Sequence, residues 1–184
     1  VGRTGYYGYY NHRQSDGIRS ANSDYALDAW LGRLVFDGDS NSRWILTLET
    51  YAEEHGEPGG LTLAGGPGTV NYRADRRGTS RLFDRFNLDR HAASLTWERD
   101  FGRGTFAANA WVIDYTRASR RQRGGGFGTL PTGTDAATNT IERQQFTTLG
   151  IDARLRFDWG AHQRHVLTAG GQIFHSDSPR TDRR

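Results

Sequence analysis

The sequence has 184 residues, 24 of them basic and 21 acidic, and it contains no cysteine. This length favours a single domain, the missing cysteine excludes a disulfide framework and thiol chemistry, and the mixed charge gives no sign of a nucleic-acid partner. Hydrophobic residues make up only 35% of the chain, and no stretch approaches the roughly 20 apolar residues of a membrane-spanning helix, so a helical membrane protein is excluded.

Alternation of apolar and polar residues predicts an all-β fold of about seven strands. The first five strands are predicted at 1–12, 25–36, 43–53, 87–99 and 105–117. In the second strand, Trp30, Leu34 and Phe36 share a face. The phase of the fifth strand stays open, because two apolar sets compete for one face: Phe106, Ala108, Ala110 and Val112 against Trp111, Ile113 and Tyr115.

The last two predicted strands form a hairpin from 143 to 175, which has the clearest pattern in the chain. Between Thr147 and Trp159, every odd position after Thr147 is apolar, and the even positions hold Thr, Gly, Asp and Arg. Successive strand side chains point to opposite faces, so this segment has one apolar face and one charged face. Gly160, Ala161 and His162 form the predicted turn.

The predicted connections alternate between long loops (14–24, 55–85 and 120–140) and short turns (37–42, 100–104 and 160–162). In an up-and-down antiparallel sheet this places all short turns at one end, as in the transmembrane β-barrels of the bacterial outer membrane. Trp44, Trp97 and Trp159 lie near short turns, and Tyr25, Tyr51 and Tyr115 lie near long loops. We therefore predict two aromatic girdles at the two membrane interfaces. A soluble sandwich or propeller also alternates, but its strands are seldom this long.

No catalytic, metal-binding or cofactor-binding arrangement is recognisable, so we expect no enzyme and no cofactor. Asp37, Asp39 and Asn41 resemble the start of a calcium loop, but Ser42 and Leu48 replace the glycine and glutamate that such a loop needs, which favours a turn. The segment 120–128 has the composition of nucleic-acid-binding Arg-Gly segments, but one short copy favours an exposed loop. None of the six His falls at metal-ligand spacing.

Four segments resemble the TonB-dependent receptors of the bacterial outer membrane. They are Gly-Glu-Pro-Gly-Gly-Leu-Thr at 56–62, the Arg- and Gly-rich stretch at 120–128, Arg-Leu-Arg-Phe-Asp-Trp at 154–159, and His-Ser-Asp-Ser-Pro-Arg at 175–180. Together they are most similar to the ferric dicitrate receptor branch. The resemblance covers nearly the whole chain, as one section of the barrel.

The resemblance implies uptake of a ferric chelate, such as a siderophore or ferric citrate, across the outer membrane of a Gram-negative bacterium with energy from TonB. Members of the family close a barrel of roughly 22 strands around a plug. Residues 1–184 are therefore expected to be a partial barrel without the plug and the remaining strands. The expected partners are the chelate, TonB through the missing plug region, and outer-membrane lipid. A passive porin-type channel and a soluble β-sheet binding domain remain the alternatives.

Arginines in the two longest loops are the candidate ligand-binding residues: Arg76, Arg77, Arg81, Arg120, Arg121 and Arg123. Both loops leave the same end of the predicted sheet, and arginine binds carboxylates through paired hydrogen bonds. A ferric citrate complex is an anion rich in carboxylates. The alternative is that these arginines contact lipopolysaccharide phosphates, pair with Asp75, Asp84 and Asp135, or are solvated.

Asp152, Arg154, Arg156 and Asp158 share the charged face of the hairpin, and two interpretations of them are open. They line a solute path or contact a plug, or they are ordinary polar residues of a wet inner wall. The second interpretation is favoured, since a water-filled lumen makes that wall polar in any case.

Overall fold

The computed structural model describes residues 3–160 and 165–183. This part of the chain contains eight β-strands and one short 3-10 helix. The strands are β1 (Thr4–Ser15), β2 (Tyr25–Asp39), β3 (Ser42–Gly56), β4 (Arg85–Asp100), β5 (Gly104–Gln122), β6 (Asn139–Trp159), β7 (His165–Asp177) and β8 (Arg180–Arg183), and the 3-10 helix is Gly133–Ala137. None of the helical structure in the described residues is long and apolar enough to cross a membrane.

All eight strands belong to one antiparallel sheet. Strands β1 to β7 lie side by side in chain order, so the predicted up-and-down meander is confirmed. The short β8 pairs with the start of β6, beyond the end of β7. Pro179 stands between β7 and β8, where a residue without an N–H interrupts the ladder of hydrogen bonds.

The strands are longer than the sequence pattern predicts, and most of the additional residues lie at the ends next to the long loops. Strand β3 continues to Gly56, β5 continues to Gln122, and β6 begins at Asn139. In these extensions the hydrogen-bonded register continues through mainly polar residues. Alternation of apolar and polar residues can be recognised only while one face of the strand is apolar. It therefore locates the apolar part of a strand and misses the polar part that continues it.

The register aligns apolar residues from all seven long strands on one face, which we call the apolar face. One row crosses the sheet through Tyr6, Leu34, Leu46, Leu95, Ala110, Ile151 and Ile173. Leu34 is 51% exposed and Ile151 is 61% exposed. A continuous exposed apolar surface of this kind marks an interaction site with lipid or protein.

The opposite face, which we call the mixed face, carries the polar residues and the few buried apolar ones. Leu27 and Ile45 are the buried hydrophobic side chains of the described residues, and both lie on this face. Their neighbours across the strands include Glu53 and Thr96. The sheet thus has no two-sided apolar core of the kind that a soluble sandwich builds.

The open phase of β5 is decided by its partners. Ala110 pairs with Leu95 and Ile151, which places Phe106, Ala108 and Val112 with it on the apolar face. Trp111, Ile113 and Tyr115 therefore lie on the mixed face. In β2 the predicted set of Trp30, Leu34 and Phe36 is confirmed on the apolar face, since Leu34 pairs with Leu46.

An aromatic row crosses the apolar face near the short turns. It consists of Phe36, Trp44, Trp97, Phe106, Phe157 and Trp159, and the rings of Trp44 and Trp97 stack at 5.9 Å. Trp44 aligns through the register with Ala153, so Phe157 is displaced from it by four residues over three strand spacings. Four residues correspond to about 13 Å along the strands, and three strand spacings correspond to about 14 Å across them. If the aromatic row is level, the strands are therefore inclined by roughly 43° to the direction perpendicular to the row. Strands of outer-membrane barrels tilt by about 35–45°.

The predicted second girdle of Tyr25, Tyr51 and Tyr115 is wrong, because all three tyrosines lie on the mixed face. Trp44 and Tyr51 are seven positions apart on β3, and an odd separation places two strand residues on opposite faces. The long-loop edge of the apolar face is marked instead by titratable side chains: Asp28, His91, Asp114 and His175.

The short turns follow the predicted pattern where the structure describes them. Between β2 and β3 the chain turns at Ser40 and Asn41, and the Asp39 carboxylate accepts a hydrogen bond from the Asn41 N–H at 2.9 Å, so the predicted turn is confirmed. Between β4 and β5, Gly102 adopts a positive φ of 84°, and the Asp100 carboxylate accepts its N–H at 2.7 Å. The third predicted turn includes Ala161 and His162, which lie outside the described residues.

Candidate functional site

The three long connections, residues 16–24, 57–84 and 123–138, pack together into one loop unit at the long-loop end of the sheet. Residues 57–84 and 123–138 join through backbone hydrogen bonds from Val70 N to Gly128 O and from Leu130 N to Gly68 O, each 2.8 Å long. Residues 16–24 join the same unit through a 2.6 Å bond from Ser20 N to Arg77 O. The loops therefore form an ordered surface above the sheet and not separate arms.

Asn22 fastens the first loop to the second. Its side-chain amide donates to the backbone carbonyls of Arg81 and Asp84 at 2.8 Å and to that of Glu57 at 3.2 Å. Its backbone has a φ of 54°, a left-handed conformation that asparagine tolerates better than most residues. Since the amide reaches three carbonyls, this one side chain holds both ends of the 57–84 loop.

Asp84 fastens the second loop to the third and is 8% exposed. Its carboxylate accepts the backbone N–H of Gln122 at 2.6 Å and lies 3.8 Å from Nε of Arg81. Burial raises the pKa of Asp84, and the Gln122 hydrogen bond and the Arg81 charge offset this rise only in part. The stability of the loop unit therefore depends on whether the Asp84 carboxyl group is protonated.

The predicted arginines of the second loop have three different surroundings. The Arg81 side chain is only 14% exposed, pairs with Asp84, and donates to Gly126 O at 3.4 Å. Arg77 donates to the Ile18 carbonyl at 3.0 Å. Arg76 lies over the Tyr72 ring at 5.7 Å. Arg81 and Arg77 therefore hold loops together, whereas Arg76 is exposed on the outer surface of the loop unit.

The predicted arginines near the third loop are separated by strand geometry. Arg120 and Arg121 both belong to β5, which extends to Gln122, so their side chains point to opposite faces. Arg120 lies on the side of the apolar face, and Arg121 lies on the side of the mixed face. Arg123 lies just beyond the strand, where its N–H bonds to Thr138 O at 2.9 Å. The six predicted arginines share one end of the sheet but do not converge on one point.

The mixed face below the loop unit is lined with polar pairs. Thr96, Asn109 and Asp152 form a chain of side-chain hydrogen bonds, each 3.0 Å long. Arg90 pairs with Glu49 at 2.9 Å. The prediction that Asp152, Arg154, Arg156 and Asp158 share a face is confirmed, and Arg156 lies 3.2 Å from Asp158. Paired polar groups of this kind are typical of a surface in contact with water.

Near the short turns the mixed face forms a hollow of about 700 Å³ with charged walls. Arg43 and Asp37 pair across it at 2.8 Å, and Arg3, Glu98 and Arg154 complete the lining. In the described residues, no group of three His, Asp or Glu side chains is placed to hold a metal ion.

The rings of the mixed face beside the loop unit form a possible ligand surface that the sequence pattern did not predict. Tyr115 and Phe146 stack at 4.3 Å, His55 and Phe86 stack at 5.0 Å, and the Arg117 guanidinium lies 5.4 Å from the Phe86 ring centre. A cation and several rings therefore share the mixed face near the long-loop end of the sheet. Odd separations from Trp44, Trp97 and Trp159 place His55, Phe86 and Phe146 on the face opposite those tryptophans. Tyr115 is assigned to the same face only by its pairing with Phe146.

No family model matches this chain, and no curated protein matches it by sequence. Among solved structures, the chain is similar to the ferric citrate transporter FecA in its unliganded form, with a TM-score of 0.81 over 97% of this chain. The two sequences are 18% identical, and this chain spans 24% of the FecA chain. The likeness shows the fold: an antiparallel up-and-down sheet similar to a section of the FecA barrel.

Proposed function

We propose that this chain is a section of an outer-membrane receptor that takes up an anionic ferric chelate with energy delivered through TonB. The observation that carries the membrane part is the apolar face. It is continuous over seven strands, it is exposed, and it is bounded by an aromatic row at one end and titratable side chains at the other. The tilt of roughly 43° from the aromatic row agrees with the tilt of outer-membrane barrel strands.

The transport part is supported by the fold likeness to a ferric citrate transporter and by the loop unit. Ferric citrate is accordingly the first ligand to test. Arg76 and Arg123 are exposed residues of the loop unit, and Arg121 is an exposed residue at the end of β5, next to the loop unit. A guanidinium in this position is suited to carboxylate oxygens of an anionic chelate. Arg77 and Arg81 have structural partners and support the same surface indirectly.

The test is uptake of radioactive iron by cells that express the intact protein, compared with cells that lack it. We expect uptake of ferric citrate or another anionic ferric chelate that stops when the proton-motive force is collapsed or TonB is deleted. Uptake that continues without TonB would show a passive channel. Recovery of the intact protein in the soluble fraction without detergent would show a soluble binding domain.

A triple variant tests the exposed arginines of the loop unit and the end of β5: Arg76→Gln, Arg121→Gln and Arg123→Gln. We expect weaker binding of the anionic chelate and little change for a neutral one, because the substitutions remove positive charge and keep a polar side chain at each position. Unchanged ferric citrate binding at normal surface expression would exclude this set as the site.

A further inference from the structure

Six rings gather on the mixed face directly below the loop unit, and we call this group the aromatic shelf. It lies on strands β2 to β6 and consists of Tyr25, Tyr51, His55, Phe86, Tyr115 and Phe146. Two rows of the register carry it. Tyr51, Arg90, Tyr115 and Phe146 form one row, and Tyr25, His55 and Phe86 form the other. The rows are four residues apart, or about 13 Å.

Two pairs of rings in the shelf stack across neighbouring strands, and none of the six rings is buried. Tyr115 and Phe146 are nearly parallel at 4.3 Å, and His55 stacks on Phe86 at 5.0 Å. All six side chains are only partly exposed, so edges and outer ring faces remain open on the mixed face. Lipid contact does not account for them, because the apolar face is on the other side of the same strands.

The charges around the shelf leave one cation without an anionic partner at its centre. Glu49 pairs with Arg90 at 2.9 Å. Glu53 accepts hydrogen bonds from the Tyr51 hydroxyl and from His55. Arg117 lies in the row between the two rows of rings, is exposed, and makes no ion pair with a carboxylate of the described residues. An electron-rich ring placed beside Arg117 would gain a cation–π contact as well as stacking.

We infer that the aromatic shelf binds the donor arms of ferric chelates that carry aromatic rings, such as catecholates, and holds these anions more tightly than ferric citrate. This inference rests on the proposed function and specifies its ligand class. Citrate arms are aliphatic and gain no stacking from the rings. A chelate whose arms are negatively charged catecholate rings matches both the rings and the Arg117 guanidinium, over a span of about 13 Å.

The experiment measures equilibrium binding of two anionic complexes to the intact receptor in detergent. The probes are the ferric complex of 2,3-dihydroxybenzoate, which carries rings, and ferric dicitrate, which carries none. We expect the ring-bearing complex to bind about 10-fold more tightly, since each ring contact adds a modest increment. Phe86→Leu and Tyr115→Leu, one from each row, should each reduce that advantage by about 3-fold and change ferric dicitrate binding less than about 2-fold.

Two matched variants separate ring recognition from a general structural role. Trp111→Leu removes a ring from the same face outside the shelf and should leave the preference intact, and Phe86→Tyr keeps a ring and should also retain it. Ferric dicitrate binding at least as tight as the ring-bearing complex would overturn the inference while leaving the proposed function standing. Equal weakening of both probes in Phe86→Leu and Tyr115→Leu would also overturn it. Binding of neither probe by the wild-type receptor would overturn the proposed function and the inference together.

Discussion

Replacing Ile151 by arginine introduces a charge near the middle of the apolar face. Ile151 lies on β6 between Ala110 of β5 and Ile173 of β7, and its side chain is 61% exposed. In the proposed receptor this exposed side chain contacts lipid. Its neighbour Asp152 lies on the mixed face, where Asn109 donates to its carboxylate at 3.0 Å. The two adjacent positions therefore receive the same arginine in opposite environments.

The cost follows from the depth of Ile151 in the bilayer. On β6 the apolar face runs from Thr147 to Phe157, which is about 33 Å along the strand and about 25 Å in height at a tilt of about 40°. Ile151 lies about 10 Å below the Thr147 edge by the same geometry, close to the midplane. Arginine there costs roughly 2–4 kcal/mol, equivalent to a roughly 30- to 700-fold loss in the folding equilibrium.

The assay is the amount of folded receptor in outer membranes, measured by its heat-modifiable mobility on gels. Ile151→Arg should strongly reduce the folded fraction. Asp152→Arg loses one hydrogen bond, worth about 1 kcal/mol, and should assemble nearly normally. Gln172→Arg, on the mixed face of β7, adds the same single charge as Ile151→Arg and serves as the second control. Equal assembly of all three variants would refute the assignment of the apolar face to lipid.

Three further changes test the loop unit and the packing of the mixed face. Asn22→Ala removes the amide that bonds to three loop carbonyls, so we expect a loss of about 1–3 kcal/mol in the local stability of the loop unit, measured by hydrogen exchange, with the sheet unchanged. Burial raises the pKa of Asp84, so its ionised form is disfavoured in the folded loop; stability of the loop unit should fall as pH rises from the ordinary aspartate pKa through this raised value. In Asp84→Asn, exchange protection of the Gln122 amide should lose that pH dependence, and an unchanged pH profile would contradict the role of Asp84. Gly150→Val places a Cβ 2.6 Å from the Trp111 ring, so it should destabilise the sheet by about 1–3 kcal/mol. Gly171→Val, where no atom lies within 4 Å of the added Cβ, should be tolerated, and equal melting temperatures for the two variants would contradict this packing.

Much of the sheet is predictable because its strands repeat with a period of two. The odd residues of 147–159 and the set of Trp30, Leu34 and Phe36 lie on the face that their alternation predicts. The phase of β5 was not decidable within its own sequence, since both of its faces carry apolar residues. Leu95 and Ile151 decide it from the neighbouring strands, and register between strands is a tertiary property.

The second girdle failed for a reason that the sequence itself contains. Closeness to a long loop does not decide the face of a residue, which depends on odd or even separation along the strand. Tyr25 and Tyr51 are odd separations from Trp30 and Trp44, whereas the face of Tyr115 is set by its partners in the neighbouring strands. The same rule divides Arg120 from Arg121 once β5 is known to continue to Gln122. The length of a strand beyond its apolar part depends on hydrogen bonds to the neighbouring strands. The alternation of apolar and polar residues does not reveal these hydrogen bonds.

The loop unit was beyond sequence reasoning for a different reason. Its contacts join residues that are far apart in the chain, such as Asn22 with Asp84 and Asp84 with Gln122. The loops are rich in glycine, and Gly59, Gly68 and Gly128 adopt positive φ values that permit their close approach. Such contacts depend on which loops the sheet brings together, so arginine content alone did not locate a binding point.

The proposed lipid contact of the apolar face can be tested directly by placing single cysteines at each position from 147 to 159. The printed sequence contains no cysteine, so each introduced thiol is a unique label within it. A spin label at each position reports collisions with membrane-dissolved oxygen and with a water-soluble nickel complex. We expect oxygen contact to peak at odd positions from 149 to 157 and nickel contact at even positions. Equal access of the nickel complex to both sets would contradict the proposal that this sheet is a wall of an outer-membrane barrel.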